Sequence, residues 1–275
     1  MTDPSPIGVF DSGMGGLTVL RALRCALPGE SFLYLGDTAR LPYGTKSPAT
    51  VERYALQAAS ILVARGIKAL VVACNTASAI ALDALARRYA PLPVFGVLAP
   101  GAEAAARHAG ARMLVLATES TVRGGAYQHA LLQLRPDLQV LARPCPLLVA
   151  LAEEGLHDGE IVELALRRYL AGLDGGRHGQ AVSALLLGCT HFPVFRGAIG
   201  DFLAARGRSD VAIVDSAQTT AAVVAAAIAA GRMAAAPGNG EAHVTLLATD
   251  GPERFGRVGG YFLGQPVRAV ELVDL

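Results

Sequence analysis

Residues 69–78 read ALVVACNTAS and residues 184–193 read ALLLGCTHFP. Each is an apolar run that ends in a cysteine, passes into Asn75-Thr76 or Thr190-His191, and leads into a helix-like stretch. An apolar run without polar alternation is how a parallel strand reads when helices cover both its faces. Two such units in matching contexts predict an α/β protein with internal pseudo-symmetry, in architecture rather than in clean sequence repeat.

Working outward, further short apolar runs occur at 7–10, 32–35, 94–98, 113–117, 139–142, 211–214 and 244–248. Between them lie helix-like segments at 17–27, 49–65, 76–89, 160–170 and 217–230. In the longest, Val51, Tyr54, Ala55, Ala58, Ile61 and Leu62 recur close to a 3.6-residue period. Breaks are expected at 91–93, at Pro100-Gly101, at 174–179 and at 237–240. The pattern predicts two doubly wound domains with mainly parallel sheets. Residues 1–98 plus 210–275 form the first and 99–209 the second.

Composition removes several classes of function. Of 275 residues, 52% are hydrophobic and 17% charged, which excludes a disordered chain. The net charge of +1 gives no electrostatic case for nucleic acid or an anionic membrane as partner. The stretch 221–230 is mostly alanine and too short to span a bilayer. Residues 1–6 lack the basic and apolar segments of a signal peptide, so a cytoplasmic protein is expected. No Cys-x-x-Cys or His-x-x-x-His spacing occurs, so no metal site is expected.

In open α/β sheets ligands bind beyond the carboxyl ends of the strands. The first strand runs into Asp11-Ser12-Gly13-Met14-Gly15-Gly16, where glycines permit a tight turn before a helix start. A dinucleotide loop fails in detail, because Thr18 stands where its last glycine should be. A plain reading of Asp11 is a solvated helix cap. The second strand leads to Pro42-Tyr43-Gly44, which could present backbone N–H groups and a phenol to a small acid, or simply form a β-turn.

Among the four cysteines, Cys25 falls among Leu20, Leu23 and Leu27 and reads as inert core, while Cys145 sits between two prolines and reads as structural. Cys74 and Cys189 stand at strand ends before helices, where free N–H groups and the macrodipole favour a thiolate. A neighbouring His or Asp could accept or tune the thiol proton. Two such thiols could form a redox pair, or move protons on the two faces of one carbon and so invert a stereocentre. Asn75, Thr76, Ser12 and Thr190 are neutral donors of the kind that would stabilise the carbanion.

The motifs IGVFDSGMGGLTVL (7–20), YLGDTARLPYG (34–44), VVACNTAS (71–78) and LLLGCTHFP (185–193) resemble, in order, those of the glutamate racemases of the cofactor-independent aspartate/glutamate racemase superfamily. The segment ATESTV (117–122), residues 143–146 and the tail 249–264 are similar as well. The resemblance implies two facing α/β domains with the active site in the cleft between them. It implies Cys74 and Cys189 as catalytic thiols, Asp11 assisting Cys74, and His191 assisting Cys189. Glu153 would be the acid near the second thiol, although the adjacent Glu154 leaves that register open by one. Carried-over substrate contacts are Asp11, Ser12, Pro42, Tyr43, Gly44, Asn75, Thr76, Thr121, Thr190 and His191. Ala117 and Ser120 depart from glycines common in the family, which bears on Thr121. The resemblance further implies L-/D-glutamate as substrate, no cofactor or metal, a homodimer, and a role in supplying D-glutamate for peptidoglycan.

Overall fold

The computed structural model describes residues 2–175, 180–238 and 242–275. Parts of the expected breaks at 174–179 and 237–240 lie outside the described residues. In chain order, β1 (Ile7–Asp11), α1 (Leu17–Ala26), β2 (Phe32–Gly36), α2 (Pro48–Ala64), β3 (Ala69–Val72), α3 (Asn75–Tyr89) and β4 (Val94–Gly96) come first. Next come α4 (Leu98–His108), β5 (Arg112–Ala117), α5 (Glu119–Gly124), α6 (Ala126–Leu134), β6 (Gln139–Pro144), α7 (Pro146–Glu153) and α8 (Glu160–Tyr169). The remainder is β7 (Ala184–Gly188), α9 (Arg196–Ala204), β8 (Ala212–Asp215), α10 (Ser216–Ala229), β9 (Val244–Ala248), α11 (Pro252–Leu263) and β10 (Glu271–Leu272).

The chain divides into two compact units, 1–97 with 217–275, and 98–216. Among the described residues the first holds a six-stranded sheet ordered β10-β9-β2-β1-β3-β4, and the second a four-stranded sheet ordered β6-β5-β7-β8. All registered strand pairs are parallel. The run at 211–214, expected in the first domain, becomes β8 and pairs with β7 in the second sheet. A short apolar strand carries no local mark of which sheet it joins.

In the first unit, Leu33, Leu35, Leu70 and Val72 are buried against Val51, Ala55, Ala58 and Leu62 of α2 and Ala77, Ala81 and Leu85 of α3. Side chains alternate along a strand, so Tyr34 points to the other face, where its ring meets Phe255 of α11 at 6.0 Å between centroids. Both faces are thus covered, which is why these strands are apolar throughout. In the second unit Met113, Val115 and Leu186 pack with Ala102 and Ala105 of α4 and with Tyr127 and Leu131 of α6. The intervening Leu114, Leu116, Leu185 and Leu187 are equally buried.

Two expectations fail for clear reasons. Pro100-Gly101 is no break but lies inside α4. Proline is tolerated in a first helical turn, where its missing N–H has no partner to lose. A Cβ on Gly101 would meet the Tyr127 hydroxyl at 3.4 Å, an ordinary contact, so the position lies against α6 with room for a small side chain. Cys25 is exposed rather than core. The buried stripe of α1 is Leu17, Leu20 and Leu23, and position 25 lies off it. Among the described residues no helix is long and apolar enough to cross a membrane.

Candidate active site

The two units share a strand order. β2-β1-β3-β4 in the first matches β6-β5-β7-β8 in the second. In each, the chain leaves one central strand to one side and the other central strand to the opposite side. Such a reversal opens a crevice at the carboxyl ends of the two central strands. In the first unit these strands are β1 and β3, which end at Asp11-Ser12 and Cys74. In the second they are β5 and β7, which end at Ala117-Thr118 and Cys189.

At the first crevice Cys74 caps α3. Its sulfur accepts the Ala77 N–H at 3.5 Å, so it sits at the positive end of a 15-residue helix. The thiol donates to Ser12 Oγ at 3.4 Å. Asn75 and Thr76 follow in the first helical turn and are buried. Asp11 is fully buried, not a solvated cap, and its carboxylate accepts the Gly13 N–H at 2.9 Å. Its backbone carbonyl accepts the Asp37 N–H at 3.0 Å.

The Pro42-Tyr43-Gly44 stretch forms a 3-10 turn over Tyr43–Thr45. Tyr43 is fully buried, and its hydroxyl donates to Asp37 Oδ2 at 2.5 Å. Burial and the Asp37 charge raise its pKa far above the usual phenol range. The phenol is therefore held inward, and what this turn can offer a ligand is its backbone. Asp37, which sequence reasoning missed, is the hub. It also accepts from Arg40 Nε at 2.7 Å and from Thr249 Oγ1 at 3.0 Å. Its signal was an acid immediately after an all-apolar strand, three residues before an arginine.

The second crevice is built differently. Cys189 is followed by a 3-10 turn over Phe192–Phe195, and α9 begins only at Arg196. The helix expected directly after Cys189 is therefore absent, and the group beside its sulfur is an imidazole. Cys189 Sγ lies 3.7 Å from His191 Nδ1, and His191 Nε2 lies 3.2 Å from Glu153 Oε1. Burial alone would lower the His191 pKa. The hydrogen bonds and negative charges of Cys189 and Glu153 outweigh it and lift the pKa to about 10. Glu153, not the exposed Glu154, makes this contact, since it closes the last turn of α7 while Glu154 lies beyond it.

Thr121, near the start of α5, is buried and shares a 3.0 Å hydrogen bond with the hydroxyl of Thr118, the cap of that helix. Thr190 is buried between Cys189 and His191. Pro42 is exposed, and Gly44 is buried beside Tyr43. Cys145 is buried and caps α7, with burial pushing its thiol pKa up far beyond use as a base. Among the described residues no group of three or more His, Cys, Asp or Glu side chains is placed to hold a metal ion.

Residues 7–226 match the family described as Asp/Glu/Hydantoin racemase. The chain is 47% identical over 270 residues to a glutamate racemase of Geobacter metallireducens, spanning 98% of this chain and 96% of the relative. Its fold is similar to that of Thermus thermophilus glutamate racemase in complex with beta-chloro-D-alanine. There the TM-score is 0.86 and the identity 44%, over 100% of this chain and 99% of that one. Francisella tularensis glutamate racemase in complex with D-glutamate gives a TM-score of 0.88 at 34% identity, over 98% of both chains. Motifs, repeated strand order and whole-length similarity agree, and the chain belongs to the Asp/Glu/Hydantoin racemase family, among its glutamate racemases.

Proposed function

We propose that this chain interconverts L- and D-glutamate without a cofactor, by proton transfer between the substrate α-carbon and two thiols, Cys74 and Cys189, acting on opposite faces. The observation that carries the reading is the matched placement of one buried cysteine at the switch point of each unit. Each has its own means of holding a thiolate.

From L-glutamate, the Cys189 thiolate takes the α-proton, and the electron pair left on the α-carbon spreads into the substrate carboxylate. The Cys74 thiol gives its proton to the opposite face. The products are D-glutamate, a Cys189 thiol and a Cys74 thiolate, and the reverse reaction exchanges the roles. An α-carbon acid is weak, so the developing charge needs preorganised donors and exclusion of water. Ser12, Asn75, Thr76, Thr121, Thr190 and the backbone at 42–44 are assigned to substrate binding. Asp11 assists Cys74, and His191, held by Glu153, assists Cys189. The imidazolium stabilises the thiolate before proton abstraction and offsets the charge that returns afterwards.

We further assign the enzyme to the cytoplasm, as a homodimer whose D-glutamate supplies peptidoglycan synthesis. Light scattering after gel filtration tests the dimer. Comparing kcat/KM for L-glutamate and L-aspartate by circular dichroism tests the substrate. A side chain one methylene shorter misplaces the α-carbon between the thiols, so glutamate should be preferred by at least about 10²-fold. Equal use of the two, or a preference for aspartate, would refute glutamate as substrate.

A further inference from the structure

Tyr34 stands in the YLGDTARLPYG motif but takes no part in the chemistry above. It is fully buried on β2, and its hydroxyl donates to the Gly13 carbonyl at 2.9 Å. Gly13 is thereby held at both polar atoms, since its N–H is bound by the Asp11 carboxylate at 2.9 Å. Ser12 immediately precedes this anchored residue and accepts from the Cys74 thiol at 3.4 Å. The turn is seated tightly. A Cβ on Gly36 would come within 2.3 Å of the Gly13 oxygen, and one on Gly16 within 2.4 Å of Asp11 Cβ and 3.0 Å of the Tyr34 hydroxyl. The phenol stays neutral and able to donate, because burial and the charges of Asp11 and Cys74 raise its pKa.

We propose that Tyr34 is a positioning residue for the Cys74 half of the reaction: its hydroxyl fixes the Gly13–Met14 peptide and with it the turn that carries Ser12, and through Ser12 the thiol. A buried carbonyl left without a donor, or a thiol displaced by a fraction of an ångström, slows proton transfer at that thiol and leaves the Cys189 side untouched. The inference rests on the two-thiol reading.

The test is Tyr34→Phe, which keeps the ring against Phe255 and removes only the hydroxyl. Racemisation of α-deuterated L- and D-glutamate is followed separately, beside wild type and His191→Asn. We expect kcat/KM to fall about tenfold or more. The substrate isotope effect should rise for one isomer and stay level or fall for the other, and His191→Asn should raise it for the opposite isomer. Isotope effects are ratios, so a reduced folded fraction does not move them. Phe255→Leu, which loosens the same packing and spares the hydroxyl, should lower Tm and leave the isotope effects at their wild-type values.

An equal change for both isomers, or the same isomer affected by Tyr34→Phe and His191→Asn, would overturn the assignment. If Tyr34→Phe yields no folded protein, Gly36→Ala presses on the same carbonyl and must give the same one-sided signature, its absence having the same force. Loss of the inference is distinct from loss of the two-thiol reading, which would appear as wild-type protein that does not racemise glutamate.

Discussion

Replacing Glu153 with Gln preserves shape and removes one negative charge 3.2 Å from His191 Nε2. In the native protein Cys189 and Glu153 together lift the His191 pKa to about 10. A hydrogen bond to a charged group contributes about 2 kcal/mol, which corresponds to about 1.5 in pKa at about 1.4 kcal/mol per unit. The variant imidazole should then titrate near about 8.5. At pH 7 nearly all of it is still protonated, so this ionisation costs little activity there. At pH 9 about a quarter of the variant keeps the imidazolium, against about nine-tenths of wild type, a further deficit of about fourfold.

The sign for stability is the same. The folded pKa lies above the ordinary 6.5, so the stabilisation is fully present below pH 6.5 and is lost as pH rises through about 10. In the variant that loss comes at lower pH. The assay is kcat/KM for L-glutamate from pH 6 to 10.5, taken as the ratio of variant to wild type, which cancels the titration of the substrate amino group. A ratio that stays flat between pH 7 and 9.5 would refute the view that Glu153 acts by holding the His191 charge.

Three more outcomes are expected. Cys74→Ala and Cys189→Ala should each lower racemisation by at least about 10³-fold while the circular dichroism of the fold is unchanged, and a variant with undiminished turnover would sink the two-thiol scheme. Gly188→Ala places a Cβ 2.7 Å from Tyr127 Cε2 and 3.1 Å from the Leu116 carbonyl, and should cost about 1–3 kcal/mol in urea unfolding. Lys68 and Glu30 form a buried pair at 2.6 Å. Lys68→Met alone should therefore cost about 3–5 kcal/mol by leaving the carboxylate uncompensated, whereas the double variant with Glu30→Met should regain part of that.

The central strands were legible because each is apolar on both faces, as at 69–72 and 184–187, and the parallel pairing explains why. The edge pair Glu271–Leu272 was not legible, being two exposed residues paired only with β9. Helix α4 was hidden by Pro100-Gly101, because local punctuation carries no sign that the proline falls in a first helical turn, where it is tolerated. In the site, the likeness of the two cysteine contexts suggested that a helix starts directly after each cysteine, while the resemblance implied different partners, Asp11 and His191. The structure shows two different settings, a helix N-terminus at Cys74 and an imidazole beside Cys189, since a 3-10 turn of four residues cannot be distinguished from a helix start by composition. The partners of buried hydroxyls were likewise out of reach. Tyr34 meets Gly13 and Tyr43 meets Asp37 through tertiary contacts that no spacing encodes.

The most direct test of the central claim is to start wild-type protein on L-glutamate in ²H₂O and examine both isomers early in the reaction. Two thiols on opposite faces predict that D-glutamate carries α-deuterium from the first turnovers, while the remaining L-glutamate carries almost none. L-glutamate labelled as fast as D-glutamate forms would mean a single base serving both faces. Failure to form any D-glutamate would contradict the racemase assignment itself.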